Sequence, residues 1–301
     1  MKDSVVDVVD VSKRFGTTLA LHEVNFAADE GLVYGLVGAN GVGKTTLIKH
    51  ILGLYRTQSG SVRVFGQDPV AKPVEVLKRI GYVSDDRALP EWMRIGDLMR
   101  YTQAYHASWD SAYAHELLDT FQLDTNNRVQ ELSRGMRAQA CLVAAVSHRP
   151  DLLIMDEPSS GLDAVVRRDI LNAIVRTVTD DGRTVIFSSH LLEEVERMSD
   201  HLTMIHDGRV VFDGRLEAIK QRYQHTKIRF AERQSAAPSL AGAMSIDGEG
   251  RAWNIIHEDS IEKFQSALSD LGGEVVESRG VTLEELFVAR VGRPSQTAEA
   301  A

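Results

Sequence analysis

One cysteine, Cys141, stands in a chain of 301 residues, so an internal disulfide is excluded and a reducing compartment is expected. It lies in the apolar stripe Cys141-Leu142-Val143-Ala144, where a core thiol is expected rather than a nucleophile. No apolar run approaches the roughly 20 residues that a membrane-spanning helix requires. The longest, around Cys141–Val146 and Leu152–Met155, have the length of core segments. The start, Met1-Lys2-Asp3-Ser4, shows no apolar signal-peptide region, and the cytosol is the compartment these absences lead us to expect. An excess of positive charge is missing as well. Lys and Arg number 34 against 43 Asp and Glu, a formal net charge of −9, so nucleic acid is not an expected partner. A nucleotide is not excluded, because a local set of backbone donors and Mg²⁺ suffices to hold one. There are no internal repeats and no low-complexity tracts.

The hydrophobic content of 43 % permits a full core, and the length allows one large α/β domain plus a smaller one. Val5-Val6-Asp7-Val8-Val9 alternates as an edge strand, Leu21–Phe26 reads as a second strand and Ser61–Gly66 as a third. A short helix over 73–79 leads into the strand Ile80-Gly81-Tyr82-Val83. From 95 to 148 the apolar period turns helical, through Leu98, Met99, Ala104 and Tyr105, then Ala114, Leu117, Leu118 and Phe121. Strands return at Leu152–Met155, Thr184–Phe187, Leu202–Ile205 and Val210–Phe212, with helices over 164–178 and 191–198. Such alternation predicts a mostly parallel sheet flanked by helices. The character changes near Tyr223. Short strands at Lys227–Phe230, Arg251–His257 and Glu274–Glu277, with helices over 260–271 and 283–290, predict a small α+β domain over 226–292; residues 293–301 read as a frayed tail.

Residues 38–46 read Gly38-Ala39-Asn40-Gly41-Val42-Gly43-Lys44-Thr45-Thr46, directly after the apolar run Leu32–Val37. This is a strand entering a phosphate-binding loop, with Gly38, Gly43, Lys44 and Thr45 on the pattern G-x-x-x-x-G-K-[ST]. Glycines let successive backbone N–H groups turn inward, and with a helix N-terminus they cradle phosphate oxygens. Lys44 is placed to reach the β- and γ-phosphates and the Thr45 hydroxyl to ligate Mg²⁺. A second apolar strand, Leu152–Met155, ends in the adjacent acids Asp156 and Glu157. A strand so buried delivers its last side chains to the carboxyl edge of the sheet, where the phosphate loop also lies. Asp156 suits a Mg²⁺ shell and Glu157 suits orienting or deprotonating an attacking water; an acidic turn before Pro158 is the plain alternative. Ser133 suits a helix cap, and with Gly135 it also forms an anion site at a helix N-terminus. His190, one of ten histidines, reads singly as a cap or core residue.

Taken together, these segments resemble the nucleotide-binding subunit of an ATP-binding cassette (ABC) transporter, over residues 1–222 with a helical subdomain over 90–148. The resemblance rests on the phosphate loop, the signature Leu132-Ser133-Arg134-Gly135-Met136, and the strand ending in Asp156 and Glu157. It extends to the D-loop Ser160-Gly161-Leu162-Asp163, the switch histidine His190, and Phe15 as the aromatic that stacks on adenine. It implies a RecA-like parallel core, an antiparallel β subdomain and a helical subdomain, with the small α+β domain as a C-terminal appendage. It further implies that ATP and Mg²⁺ are bound and that two such subunits pack head to tail, as a homodimer or with a second ATPase subunit. Ser133 and Gly135 would then contact the partner's γ-phosphate, His190 the γ-phosphate of its own site, and Asp163 would signal across the dimer.

Two segments depart from the family's pattern. Arg134 and Met136 stand where the signature usually has a second glycine and a glutamine, and Asp85 stands where a glutamine is usual. Asp85 still offers an oxygen to Mg²⁺. A separate membrane permease is implied as partner, with this chain peripheral on the cytoplasmic face of the inner membrane. Trp92, Trp109 and nearby tyrosines are expected either to contact that partner or to fill the helical subdomain. The C-terminal Thr282-Leu283-Glu284-Glu285-Leu286-Phe287 resembles the end of bacterial exporter ATPases, which favours export. The rival readings are a soluble ABC ATPase acting on ribosomes or DNA, and a regulatory module without turnover.

Overall fold

In the computed structural model the described residues are 4–179, 182–258 and 261–292. The chain divides into two compact units, Met1–Asp213 and Gly214–Ala301, earlier than the change of character near Tyr223. The first begins with the long strands β1 (Ser4–Phe15) and β2 (Thr18–Asp29); β3 (Val33–Val37) then runs into helix α1 (Lys44–Ile51). Strand β4 (Ser59–Val64), the short α2 (Pro73–Leu77) and β5 (Ile80–Val83) follow. Three helices come next, α3 (Ile95–Gln103), α4 (Ser111–Thr120) and α5 (Arg134–Val146). After them β6 (Leu152–Met155), α6 (Ala164–Thr179), β7 (Thr184–Ser189) and α7 (Leu192–Met198) alternate, and β8 (His201–His206) and β9 (Arg209–Arg215) complete the run.

Six strands form one sheet in the order β5-β6-β7-β3-β8-β9. The pairs β5·β6, β6·β7, β7·β3 and β3·β8 are parallel. Every residue of β3, β6 and β7 is buried, which is why these strands read as unbroken apolar runs rather than alternating ones. β9 turns back from β8 through Asp207 and Gly208, both at positive φ (46° and 73°), the two-residue reversal whose twist suits paired strands.

A second, three-stranded sheet has the order β2-β1-β4, with both pairs antiparallel. The expectation of an edge strand at Val5–Val9 is therefore corrected: β1 is the central strand. Its side chains alternate, with Val6, Val8 and Val11 buried, but alternation reports only which face is covered. How many neighbours pair with the strand depends on backbone groups that no side chain reveals. The inner face of this sheet shares one core with the large sheet. Val6, Val8, Leu21 and Val24 pack in a cluster with Leu47, Ile48 and Ile51 of α1 and with Leu36, Leu152 and Ile186. Fully burying each such side chain contributes about 1.5–3 kcal/mol, so α1 and the loop before it are seated by its apolar stripe. Cys141 is buried on α5, and burial pushes its thiol up to about 12, so it remains an unionised core residue.

The second unit opens with α8 (Leu216–Arg222), a helix the sequence reading leaves out, and continues with β10 (Gln224–Gln234) and β11 (Ala243–His257). Helix α9 (Ile261–Asp270), strand β12 (Gly273–Gly280) and helix α10 (Leu283–Val291) follow. Its sheet is antiparallel in the order β11-β10-β12, and Ile228, Phe230, Trp253, Ile255, Phe264 and Leu268 form its core. The strands outrun the short ones expected, because their ends are polar and carry no apolar signal. The tail expected over 293–301 lies outside the described residues.

Helix α10 starts in a capping box. The Thr282 hydroxyl accepts from the Glu285 N–H at 3.2 Å, and the Glu285 carboxylate accepts from the Thr282 N–H at 2.9 Å. Burial alone would raise the Glu285 carboxyl. Hydrogen bonds from Arg279 and the Thr282 backbone, with the charges of His225 and Arg279, outweigh it and hold the group down at about 2. A carboxyl depressed by folding stabilises fully above its ordinary value of about 4.3, and that contribution is lost as the pH falls through the folded value. Glu285→Gln is therefore expected to cost about 1 kcal/mol at pH 7, with the gap to wild type closing as the pH approaches 2. Urea unfolding at both ends of that range checks this, and a gap of equal size at both would refute it.

Candidate functional site

The loop between β3 and α1 is shaped by what its backbone must avoid. Gly43 sits at φ 114°, and a Cβ there would lie 2.5 Å from the Ala20 carbonyl oxygen, so only glycine fits. The turn folds Lys44 back over its own loop. Its ammonium donates to the carbonyls of Gly38 (2.6 Å) and Ala39 (3.2 Å) and is only 5 % exposed. Two strands away in the sheet, β6 delivers Asp156 and Glu157 to the same edge. β7, between them, supplies Ser188 and Ser189 and then His190.

Glu157 is gripped at both carboxylate oxygens. Oε1 lies 3.0 Å from the Lys44 ammonium and Oε2 2.7 Å from His190 Nδ1. Its backbone is left-handed at φ 48°, an uncommon state for a non-glycine residue that recurs at functional sites. Burial would raise its carboxyl, but the contacts with Lys44 and His190 prevail and hold it below the usual carboxylate range, so Glu157 is ionised at neutral pH. Asp156, 1 % exposed, accepts from the Ser188 hydroxyl at 2.6 Å, and the same hydroxyl accepts from the Glu157 N–H at 2.8 Å. One serine thus orders both acids.

A cleft of about 270 Å³ opens here. Asn40, Gly41, Gly43, Lys44, Thr45 and Thr46 form one wall, and Asp85, Glu157, Ser160 and His190 the other. A larger cavity of about 320 Å³, lined by His50, Tyr55, Arg63 and Asp68 among others, lies on different residues and holds no phosphate loop. The cleft therefore brings together backbone donors at a helix N-terminus, a lysine, a hydroxyl, an ionised carboxylate and an imidazole. That is the set that binds a polyphosphate and orients a water beside its last phosphorus.

Comparison with known proteins agrees with this chemistry. The ABC transporter family matches residues 21–160. The daunorubicin resistance ATP-binding protein DrrA3 of Streptomyces coeruleorubidus is 31 % identical over 319 aligned residues, covering 100 % of both chains. The chain belongs to the ATP-binding subunits of ABC transporters. The bacitracin transport ATP-binding protein BcrA of Bacillus licheniformis is 26 % identical, with 96 % of this chain and 98 % of that protein covered. Among solved structures, an ATP-binding subunit of an ABC transporter shares 28 % identity with a TM-score of 0.67, over 72 % of this chain and 92 % of that one. As a member of this family the chain is an ATPase whose turnover is coupled to transport.

The remaining residues expected in an ABC ATPase site lie outside the cleft. Phe15 is 44 % exposed and meets Tyr55 edge-on at 5.5 Å, with the Lys13 ammonium 5.3 Å from its ring. Ser133 caps α5, accepting from the Met136 N–H at 3.2 Å, and Gly135 packs beside Val166. Asp163 caps α6, accepting from Val165 and Val166 at 2.9 and 3.1 Å. Trp92 is exposed while Trp109 is half-buried. Among the described residues no cluster of three or more His, Cys, Asp or Glu side chains could hold a metal by itself. Thr45 and Asp85, which line the cleft, carry donors that suit Mg²⁺, an ion held by one or two carboxylates together with substrate phosphates and water rather than by an all-protein cage. Asp156 is buried with no ion pair among the described residues, which leaves its charge for such a cation.

Ser188 and Glu194 are not singled out in the sequence reading. Glu194 is buried and accepts from Ser159 Oγ at 2.7 Å and Ser189 Oγ at 3.1 Å. The pair Ser188-Ser189 before His190 was the available signal, but hydroxyls at a strand end are common. Ser188→Ala would strand a buried N–H and a buried carboxylate, and is expected to cost about 1–3 kcal/mol of stability. Denaturant unfolding measures this, and an unchanged midpoint would show that Ser188 does not order the acids.

Proposed function

We propose that this cleft binds Mg·ATP, that two ATPase subunits close on two nucleotides, and that turnover drives export of a substrate through a separate membrane permease. The observation that carries the site is the position of Glu157, held between Lys44 and His190 on the wall facing the phosphate loop. In this reading the N–H groups of residues 41–46 and Lys44 hold the β- and γ-phosphates, and Phe15 stacks on the adenine. Thr45, Asp85 and Asp156 hold Mg²⁺, which when bound offsets phosphate charge. Glu157 orients the attacking water and takes its proton, and His190 contacts the γ-phosphate and steadies Glu157.

Dimerisation is supported by what the cleft leaves open. Ser133 and Gly135 do not line it, yet they present the N-terminus of α5, and such an end attracts an anion. On a second copy they would complete the γ-phosphate cage, with Asp163 at the shared boundary. The second subunit is either another copy of this chain or a related ATPase. Export is supported by the roles of relatives in drug resistance and bacitracin transport, and by a Nod factor export protein at 32 % identity over 71 % of this chain. No described helix is long and apolar enough to cross a membrane, so the path for the substrate belongs to a permease, with this chain docked on its cytoplasmic face.

Lys44→Ala is expected to weaken ATP affinity about tenfold or more, the loss of a charged hydrogen-bond donor. Glu157→Gln is expected to bind ATP and dimerise while turnover falls about 10²–10⁴-fold. Equilibrium binding, light scattering and phosphate release read these three quantities. Undiminished turnover in Glu157→Gln removes its assigned role, and a chain recovered with ribosomes or DNA instead of solubilised membranes refutes the transport reading.

A further inference from the structure

Arg87 is one of two buried cationic side chains among the described residues, and unlike Lys44 it has no carboxylate ion-paired to it there. It is 3 % exposed. Burying an arginine so deeply is costly unless its donors are used, and a hydrophobic side chain of similar volume often serves stability as well or better. Its donors reach across to another segment. One guanidinium nitrogen, Nη2, donates to the Pro158 carbonyl at 3.0 Å and to the Ser160 carbonyl at 2.9 Å, while Nε has no partner. The backbone of Arg87 is left-handed at φ 47°, a state that persists in a non-glycine residue only where its surroundings over-determine it.

Both ends of this link are at the site. Arg87 closes the turn that carries Asp85, its N–H donating to the Ser84 carbonyl at 3.1 Å. The carbonyls it grips belong to the turn immediately after Glu157, which the Ser160 N–H closes onto the Glu157 carbonyl at 3.1 Å. That turn is held on its other flank by Glu194, through Ser159. The guanidinium of Arg134 lies against Gly161, leaving no room for a Cβ, so the chain beyond the turn is confined as well.

We infer that Arg87 is a positioning residue for ATP hydrolysis: it ties the Asp85 loop to the Pro158–Ser160 turn and so fixes the carboxylate of Glu157 where turnover needs it. This rests on Glu157 as the water-orienting group. Neither Arg87 nor its carbonyl partners touches the reacting atoms. Its contribution is geometric, and geometry at this level matters because small displacements of a reacting group are costly in rate.

The test compares Arg87→Met and Arg87→Lys in the full chain by steady-state ATPase kinetics and thermal melting, with Glu157→Gln in parallel. Arg87→Met fills the same space without the charge. We expect it to keep its melting temperature and its KM within about twofold while kcat falls about tenfold or more, the pattern of a group that acts only in the transition state. Arg87→Lys, one charge without a planar fork, is expected to recover part of the lost kcat. If the Met variant fails to fold, the Lys variant decides: a reduced kcat at unchanged KM supports the inference, and wild-type kcat overturns it. A Met variant that folds with wild-type kcat overturns it too, as does a folded Met variant whose KM rises as far as its kcat falls. Full turnover in Glu157→Gln would instead fault the assignment of Glu157, and is read separately.

Discussion

Everything at this site depends on the burial of one positive charge. Lys44 must be near the position of the phosphates, and its ammonium is withdrawn from water by the loop folded over it. Removing an ammonium from water is costly unless it is paired, so the fold has to bring counter-charge and acceptors to it. Two loop carbonyls and Glu157 do so. The same contact answers the opposite question, why a buried glutamate stays ionised. Each charge is tolerable because of the other, and a polyanion entering the cleft competes with Glu157 for the lysine.

The parallel sheet makes that pairing possible. β3 and β6 point the same way with β7 between them, so the residues that leave their carboxyl ends converge although they are more than a hundred positions apart in the chain. β7 then contributes its own end, where Ser188 orders Asp156 and the Glu157 N–H, and where His190 meets Glu157. Three adjacent strands thus supply the phosphate loop, the two acids and the imidazole. The antiparallel sheet acts at one remove: its apolar face packs on α1, and α1 fixes the direction in which Lys44 and Thr45 are presented.

How much of this was legible in the sequence follows from the range of each interaction. The phosphate loop was legible because its residues lie side by side in the chain: Gly43 takes a positive φ of 114° that favours glycine, and Lys44 and Thr45 follow at fixed spacing. The strand ending in Asp156 and Glu157 was legible because a strand buried on both faces has an unbroken apolar signal. The central place of β1 was not, since backbone pairing leaves no trace in side-chain alternation. Nor were the ordering groups. Ser188 acts on an acid 32 positions away and Arg87 on a carbonyl 71 positions away. Each is an ordinary residue until the fold brings its partner to it.

The departures from the family's signature follow the same division between backbone and side chain. The cap on α5 uses the hydroxyl of Ser133 and the main-chain N–H of residue 136, so methionine replaces glutamine there at no cost to the helix end. The anion-attracting end of α5 is built from peptide groups and survives any side chain at that position. Position 134 is different, because its side chain is used. The arginine there reaches Gly161 and occupies space beside the turn that Arg87 holds, where a glycine would reach nothing. Two guanidinium groups converge on one short segment, and like charges are brought close only where each has enough acceptors to hold it. The carbonyls of Pro158 and Ser160 provide them for Arg87. The segment that follows Glu157 is therefore confined by side chains drawn from the Asp85 loop, the signature helix and α7, a constraint that peptide geometry alone would not impose.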